Sequence, residues 1–159
     1  MNMKKKAYFH LVWVVLIAFL FSCNNSDVNQ QDVLETEEEI KATLINMWAA
    51  IENEDIDLYA SYIHPDFTQF GESDPRLLIG REAEVHGTNE WIQNSKNIHT
   101  EMEEPQVVVR DSVAWIVYYW KDRGTTNGET FASRGKSTRI FVKEKGRWLC
   151  IHGHYTLLP

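Results

Sequence analysis

The sequence predicts an α+β domain in which helices come first and an antiparallel sheet follows. Two patterns carry this prediction. Ile40, Leu44, Met47, Trp48 and Ile51 recur at helical spacing. From Ile98 onward, β-branched and aromatic runs are separated by Gly- and Asn-bearing turns. No internal repeat is present.

Each element has its own local reason. The first helix is predicted over residues 37–52. Thr36 followed by Glu39 is a capping-box pattern, and Glu37 and Glu38 suit the positive end of the helix dipole. Asn53-Glu54-Asp55 makes a turn, and a shorter second helix carries Leu58, Tyr59, Tyr62 and Ile63 until His64-Pro65 stops it. A short strand follows at 67–70, then a loop rich in Gly, Ser, Asp and Pro at 71–75. Gly80 opens a third helix through His86 toward Trp91, with Gly87 as its weak point. The rest reads as strands. Residues 98–102 and 106–109 form one long or broken strand with Pro105 at a bulge or edge. A strongly apolar strand follows at 113–120, and a third at 129–142 is reached through a turn at 124–128. Lys145-Gly146 turns into the last strand, 147–157.

Lys4, Lys5 and Lys6, then apolar residues from Leu11 to Phe21, have the form of a secretory signal peptide, too short to span a bilayer comfortably. Cys23, preceded by Leu20 and Ser22, resembles the acylated cysteine of a bacterial lipobox. The predicted organisation is a lipoprotein signal peptide at 1–22, a polar tether at 23–34 and one domain at 35–159. With the signal lysines removed, 13 basic residues face 23 acidic ones. A chain this anionic is excluded as a nucleic-acid binder and is repelled by anionic headgroups, so attachment must come from acyl chains on Cys23. The implied location is the bacterial cell envelope, lipid-anchored on the non-cytoplasmic side of a membrane. Cys150, the only other cysteine, reads as a small buried hydrophobe.

The segments AIENEDIDLYASYIHPDFTQF, NIHTE, STRIF and GRWLCIHGHYTLLP resemble the association (hub) domain of calcium/calmodulin-dependent kinase II. They also resemble the SnoaL-like domains of bacteria, within the nuclear-transport-factor-2-like superfamily. The most specific part is the closing pattern of Trp148, His152 and His154. The resemblance covers about residues 40–159 and includes no kinase domain. It implies a cone, a curved antiparallel sheet packed against N-terminal helices, with a pocket at the wide end. Relatives use this fold as an enzyme cavity, a small-ligand receptor or an oligomerising scaffold, and fold alone does not choose among them.

The resemblance places a pocket arginine at Arg139 and a histidine near His86. Strand alternation puts Arg139 and Phe141 on one face. A guanidinium in an aromatic pocket binds a carboxylate through two charge-assisted hydrogen bonds; the plainer reading is a structural salt bridge or a solvent-facing side chain. Trp120 and Tyr155 stand where the hub domain carries two further arginines, which implies a more aromatic, less basic cavity. His86, the one candidate catalytic residue, could exchange a proton near neutral pH or simply sit on a helix surface. His152 and His154 share a strand face, but no third metal ligand is evident, so no metal or other cofactor is expected. Asp66 reads as a turn residue, and the inward side of Glu101 and Glu103 is not fixed. No pocket carboxylate is therefore placed.

Tyr118 and Trp120 share one strand face, while Trp115, Val117 and Tyr119 share the other. One face can line the cavity and the other needs a cover, which in this superfamily is a second subunit. The expected function is a membrane-tethered, dimerising domain that binds a small anionic or aromatic molecule through Arg139, His86, Tyr118, Trp120, Phe141 and Tyr155. The alternatives are an isomerase, dehydratase or cyclase working by proton abstraction in the same pocket, and a purely structural scaffold.

Overall fold

The computed structural model describes residues 30–72 and 75–159. The predicted signal segment, the lipobox-like Cys23 and residues 24–29 of the predicted tether lie outside the described residues. The chain divides into Met1–Val33 and Leu34–Pro159, and the sheet belongs to the second unit. Among the described residues no helix is long and apolar enough to cross a membrane.

The first helix, α1, spans Gln30–Glu52 and starts about two turns before the predicted position. Its opening residues are polar but rich in Gln, Leu and Glu, which favour helix as readily as they solvate a tether. Glu39 does not close a capping box. Its carboxylate instead accepts from Trp148 Nε1 at 3.1 Å and lies 3.3 Å from Lys143 Nζ, tying α1 to the sheet. Ile40, Leu44, Met47 and Ala50 form the buried stripe. Glu54 turns the chain at φ 58°. Asp55 then caps α2 (Ile56–Ser61) by accepting from the Leu58 amide at 2.9 Å.

Strand β1, Ile63–Phe70, begins before the Pro65 stop rather than after it. Ile63 pairs with Cys150 and Thr68 with His152, so Pro65 sits in an irregular stretch where its missing N–H costs no ladder bond. The two-residue β2, Leu78–Ile79, pairs with β1, and Gly80 at φ 94° leads into α3, Arg81–Asn94. The remaining strands are β3 (Ser95–Arg110), β4 (Val113–Thr126), β5 (Glu129–Glu144) and β6 (Arg147–Leu157). The register of β3 shifts between Glu103 and Gln106, around Pro105. Asn127-Gly128 and Lys145-Gly146 make the hairpin turns with paired positive φ, 53° and 86°, then 49° and 79°. Gly124, read as the start of a turn, lies within β4.

The six strands among the described residues run in the order β2-β1-β6-β5-β4-β3 and form a curved, unclosed sheet. Every neighbouring pair is antiparallel except β1 and β6, which are parallel and make the sheet mixed. Alternation along β4 buries Ala114, Ile116 and Tyr118 and leaves Val113, Val117 and Tyr119 exposed. The buried side joins the α1 stripe, Phe67, Phe141 and Cys150 in one core. Each such large apolar side chain contributes about 1.5–3 kcal/mol on burial.

Candidate functional site

The core does not fill the space beneath the sheet. A cavity of about 570 Å³ opens there, within the size range of small-molecule sites. Trp48 comes from α1, Trp91 from α3, and Tyr118, Trp120, Phe131 and Tyr155 from the sheet. Trp48 meets Tyr118 edge-on at 5.6 Å between ring centroids, and Trp120 meets Tyr155 at 6.4 Å.

Strand register builds the polar wall. Gly153 on β6 pairs with Gln69 on one side and Arg139 on the other. With no side chain at the middle position, the two outer residues meet across it, and Arg139 Nη1 donates to Gln69 Oε1 at 2.8 Å. A Cβ on Gly153 would fall 2.3 Å from Arg139 Nη1 and 2.7 Å from Gln69 Oε1. Gln69 Nε2 donates onward to Glu84 Oε2 at 3.2 Å, and the Tyr59 hydroxyl donates to Glu84 Oε1 at 2.7 Å. Tyr59, Glu84, Gln69 and Arg139 thus form one chain of hydrogen bonds along the cavity wall.

The chain is electrostatically matched. Burial, reinforced by the Glu84 charge, holds the Tyr59 phenol well above its ordinary pKa, so it stays a donor. Burial disfavours the charged Arg139, but Tyr118, Cys150, Tyr59 and Glu84 around it more than offset this, and its pKa lies above the usual arginine value. Burial likewise pushes the Cys150 thiol up to about 11, which makes it a poor nucleophile. The Nε of Arg139 is buried and has no hydrogen-bond partner among the described residues.

A second glycine permits the aromatic wall. Gly135 pairs with Trp120, and a Cβ there would lie 2.2 Å from the indole. The ring therefore lies across the bare backbone. Further along β4, Asp122 lines the same cavity. Burial raises its pKa, partly countered by hydrogen bonds from Ser133.

Arg139, Tyr118, Trp120 and Tyr155 all line the cavity. Two other residues proposed for ligand contact stand elsewhere. Phe141 shares the inward face of β5 but is fully buried among core side chains. His86 is 74% exposed on the outer side of α3, 3.6 Å from Glu90, and borders a shallow groove with Ile56 and Arg81. Helical geometry explains this displacement: Glu84 faces inward, and a residue two positions on turns away from it. His152 and His154 pack edge-on against Phe70, and His152 Nδ1 lies 2.8 Å from Thr68 Oγ1. Desolvation, with His154 and Arg139 nearby, lowers the pKa of His152.

Sequence reasoning missed Tyr59, Gln69, Glu84 and Asp122 as cavity groups. The isolated glycines inside strands were the available signal, since such glycines mark close approach of another group. The charged pattern of α3 carried no comparable mark for Glu84.

Comparisons with known proteins agree with this architecture. Calcium/calmodulin-dependent protein kinase type II of Caenorhabditis elegans is 26% identical over 145 residues, covering 87% of this chain and 18% of that protein. The chain thus spans under a fifth of the length of the curated relatives it matches. Among solved structures, the association domain of the C. elegans kinase superposes with a TM-score of 0.66 at 24% identity, covering 79% of this chain and 98% of that one. A candidate dehydratase of the nuclear-transport-factor-2-like family from Streptomyces avermitilis gives 0.70 at 14% identity, covering 78% and 97%. The family described as the SnoaL-like domain matches residues 40–158. With that match over most of its length, the chain belongs to the SnoaL-like domain family, within the nuclear-transport-factor-2-like fold.

Proposed function

We propose that this domain is a receptor for a small aromatic acid, held outside the cytoplasm by acylated Cys23. The observation that carries the reading is the half-buried guanidinium of Arg139 set in the wall of a ring-lined cavity. Aromatic faces supply the apolar contact, and Arg139 supplies the one cation of the cavity lining among the described residues, suited to a carboxylate. Glu84 and Glu72 share that lining, so a small inorganic anion gains little there, whereas a ring-bearing acid gains from both walls.

The test is thermal shift with biphenyl-4-carboxylate. Wild type should be stabilised, while Arg139→Met should lose most of the shift and bind about 10- to 100-fold more weakly, as expected for a charge-assisted contact. Equal responses from the two proteins would overturn the assignment.

The tether and the self-association belong to the same proposal. The lipobox-like Cys23 supports the first; the apolar outer face of β4, with Val113, Val117 and Tyr119 exposed, supports the second. A fatty-acid analogue should label wild type but not Cys23→Ser, and the released Cys23→Ser protein should sediment at twice the chain mass. Label that survives the substitution contradicts the anchor, and a monomeric mass contradicts the dimer.

A catalytic reading is second. It is favoured by the cavity carboxylates Glu84 and Asp122, either of which meets the minimal need for a proton-abstracting base. Both Glu84 oxygens are already engaged by Tyr59 and Gln69, which fits a positioning role better than proton transfer. Turnover of a carbonyl acid in the cavity, lost in Asp122→Asn, would establish this reading; no turnover by wild type would remove it.

A further inference from the structure

We infer that the ligand of this cavity is bipolar: an elongated aromatic acid that also carries an amine or hydroxyl at its far end, read by Asp122. The inference rests on the receptor reading above and deepens it.

Two cavity-lining residues have a buried polar atom with no hydrogen-bond partner among the described residues: Arg139 at Nε and Asp122 at Oδ1. They are opposite in kind, one a donor and one an acceptor. Buried groups left unpaired in this way are uncommon and costly, and a molecule inside the cavity is what can satisfy them. Ser133 holds the Asp122 carboxyl, through its hydroxyl and its backbone.

The cations near Asp122 are committed elsewhere. Lys121 and Arg134 pair with Glu103, and Arg123 pairs with Glu101. None of the three lines the cavity, where Asp122 is flanked by its ladder partners Thr100 and Ser133. This end of the cavity thus presents an acidic acceptor among neutral hydroxyls, while the other end presents Arg139.

Register sets the length. Asp122 pairs with Ser133, and Arg139 lies six residues beyond Ser133 on the same strand. Six residues of strand are about 20 Å, shortened here by the reach of both side chains. One ring cannot bridge that span, whereas a two-ring body comes much closer. Tyr118 and Trp120, which pair with Ser137 and Gly135 between those two positions, line the cavity there.

The experiment compares 4′-(aminomethyl)biphenyl-4-carboxylate with biphenyl-4-carboxylate by calorimetry on the full chain. In wild type the amine should tighten binding about tenfold. In Asp122→Asn that gain should fall below twofold. Asp122→Ala serves as a second variant and should lose the gain in the same way. If both probes bind wild type equally, or if the gain survives both substitutions, the bipolar assignment is overturned while the receptor reading stands. If neither probe binds wild type, both fall.

Discussion

Glu84→Ala is expected to destabilise the protein by about 3 kcal/mol and to abolish its response to aromatic acids. Glu84 is 6% exposed and accepts two hydrogen bonds, from a Tyr59 phenol that is 3% exposed and from Gln69. Truncation leaves the phenol buried without an acceptor, which alone costs about 1–3 kcal/mol. It also frees Gln69 to rotate, so Arg139 loses the fixed partner of its hydrogen bond and the opposing Glu84 charge. For a domain of this size the melting temperature should fall by about 10 °C. Glu84→Gln keeps an acceptor for Tyr59 and should cost about 1 kcal/mol. Thermal melts of the two variants, read with a biphenyl-4-carboxylate titration, separate these effects. A Glu84→Ala protein as stable as wild type would mean that the hydrogen-bond chain does not hold the wall.

Gly135→Ala is expected to cost about 2 kcal/mol, although alanine ordinarily favours folding over glycine by restricting the unfolded chain. A methyl at this position would stand 2.2 and 2.4 Å from two indole carbons of Trp120 and 2.7 Å from the Thr156 carbonyl oxygen. The indole is packed edge-on against Tyr155, and the carbonyl belongs to the β6 backbone, so relieving the clash moves packed groups. Overpacking of this kind typically costs 1–3 kcal/mol. Near-ultraviolet circular dichroism should change with it, since a packed tryptophan moves. Gly128→Ala is the contrasting control: at φ 86° it is strained, but nothing lies within 4 Å of the added methyl. An unchanged tryptophan signal in Gly135→Ala would show that Trp120 does not lie across that backbone.

Local chemistry made much of this fold legible. Lys145-Gly146 fixed the start of β6, the period of Ile40, Leu44 and Met47 gave the buried face of α1, and Pro105 marked the irregularity in β3. Alternation along β4 correctly separated Tyr118 and Trp120 from Val117 and Tyr119. What escaped was set by distant partners. Ile63 joins a strand because Cys150 lies beside it in parallel, and no local pattern around Pro65 announces that pairing. Glu84 looks like any other acidic residue of α3. It is buried because Tyr59 and Gln69, 25 and 15 residues away in sequence, converge on it. His86 looked more chemical than Glu84, yet the helix turns it outward. Gly124 reads as a turn by composition, yet it pairs with Phe131 inside β4, and that ring lies 2.9 Å from where its Cβ would be.

The proposed receptor function depends on a hollow beneath the sheet with Arg139 at its wall. The measurement that tests it most directly is a crystal structure of the protein grown with biphenyl-4-carboxylate. The expected result is the carboxylate against the Arg139 guanidinium and the rings between Trp48 and Trp120. A hollow packed solid by the protein's own side chains, or a probe bound only on the outer surface, would contradict it.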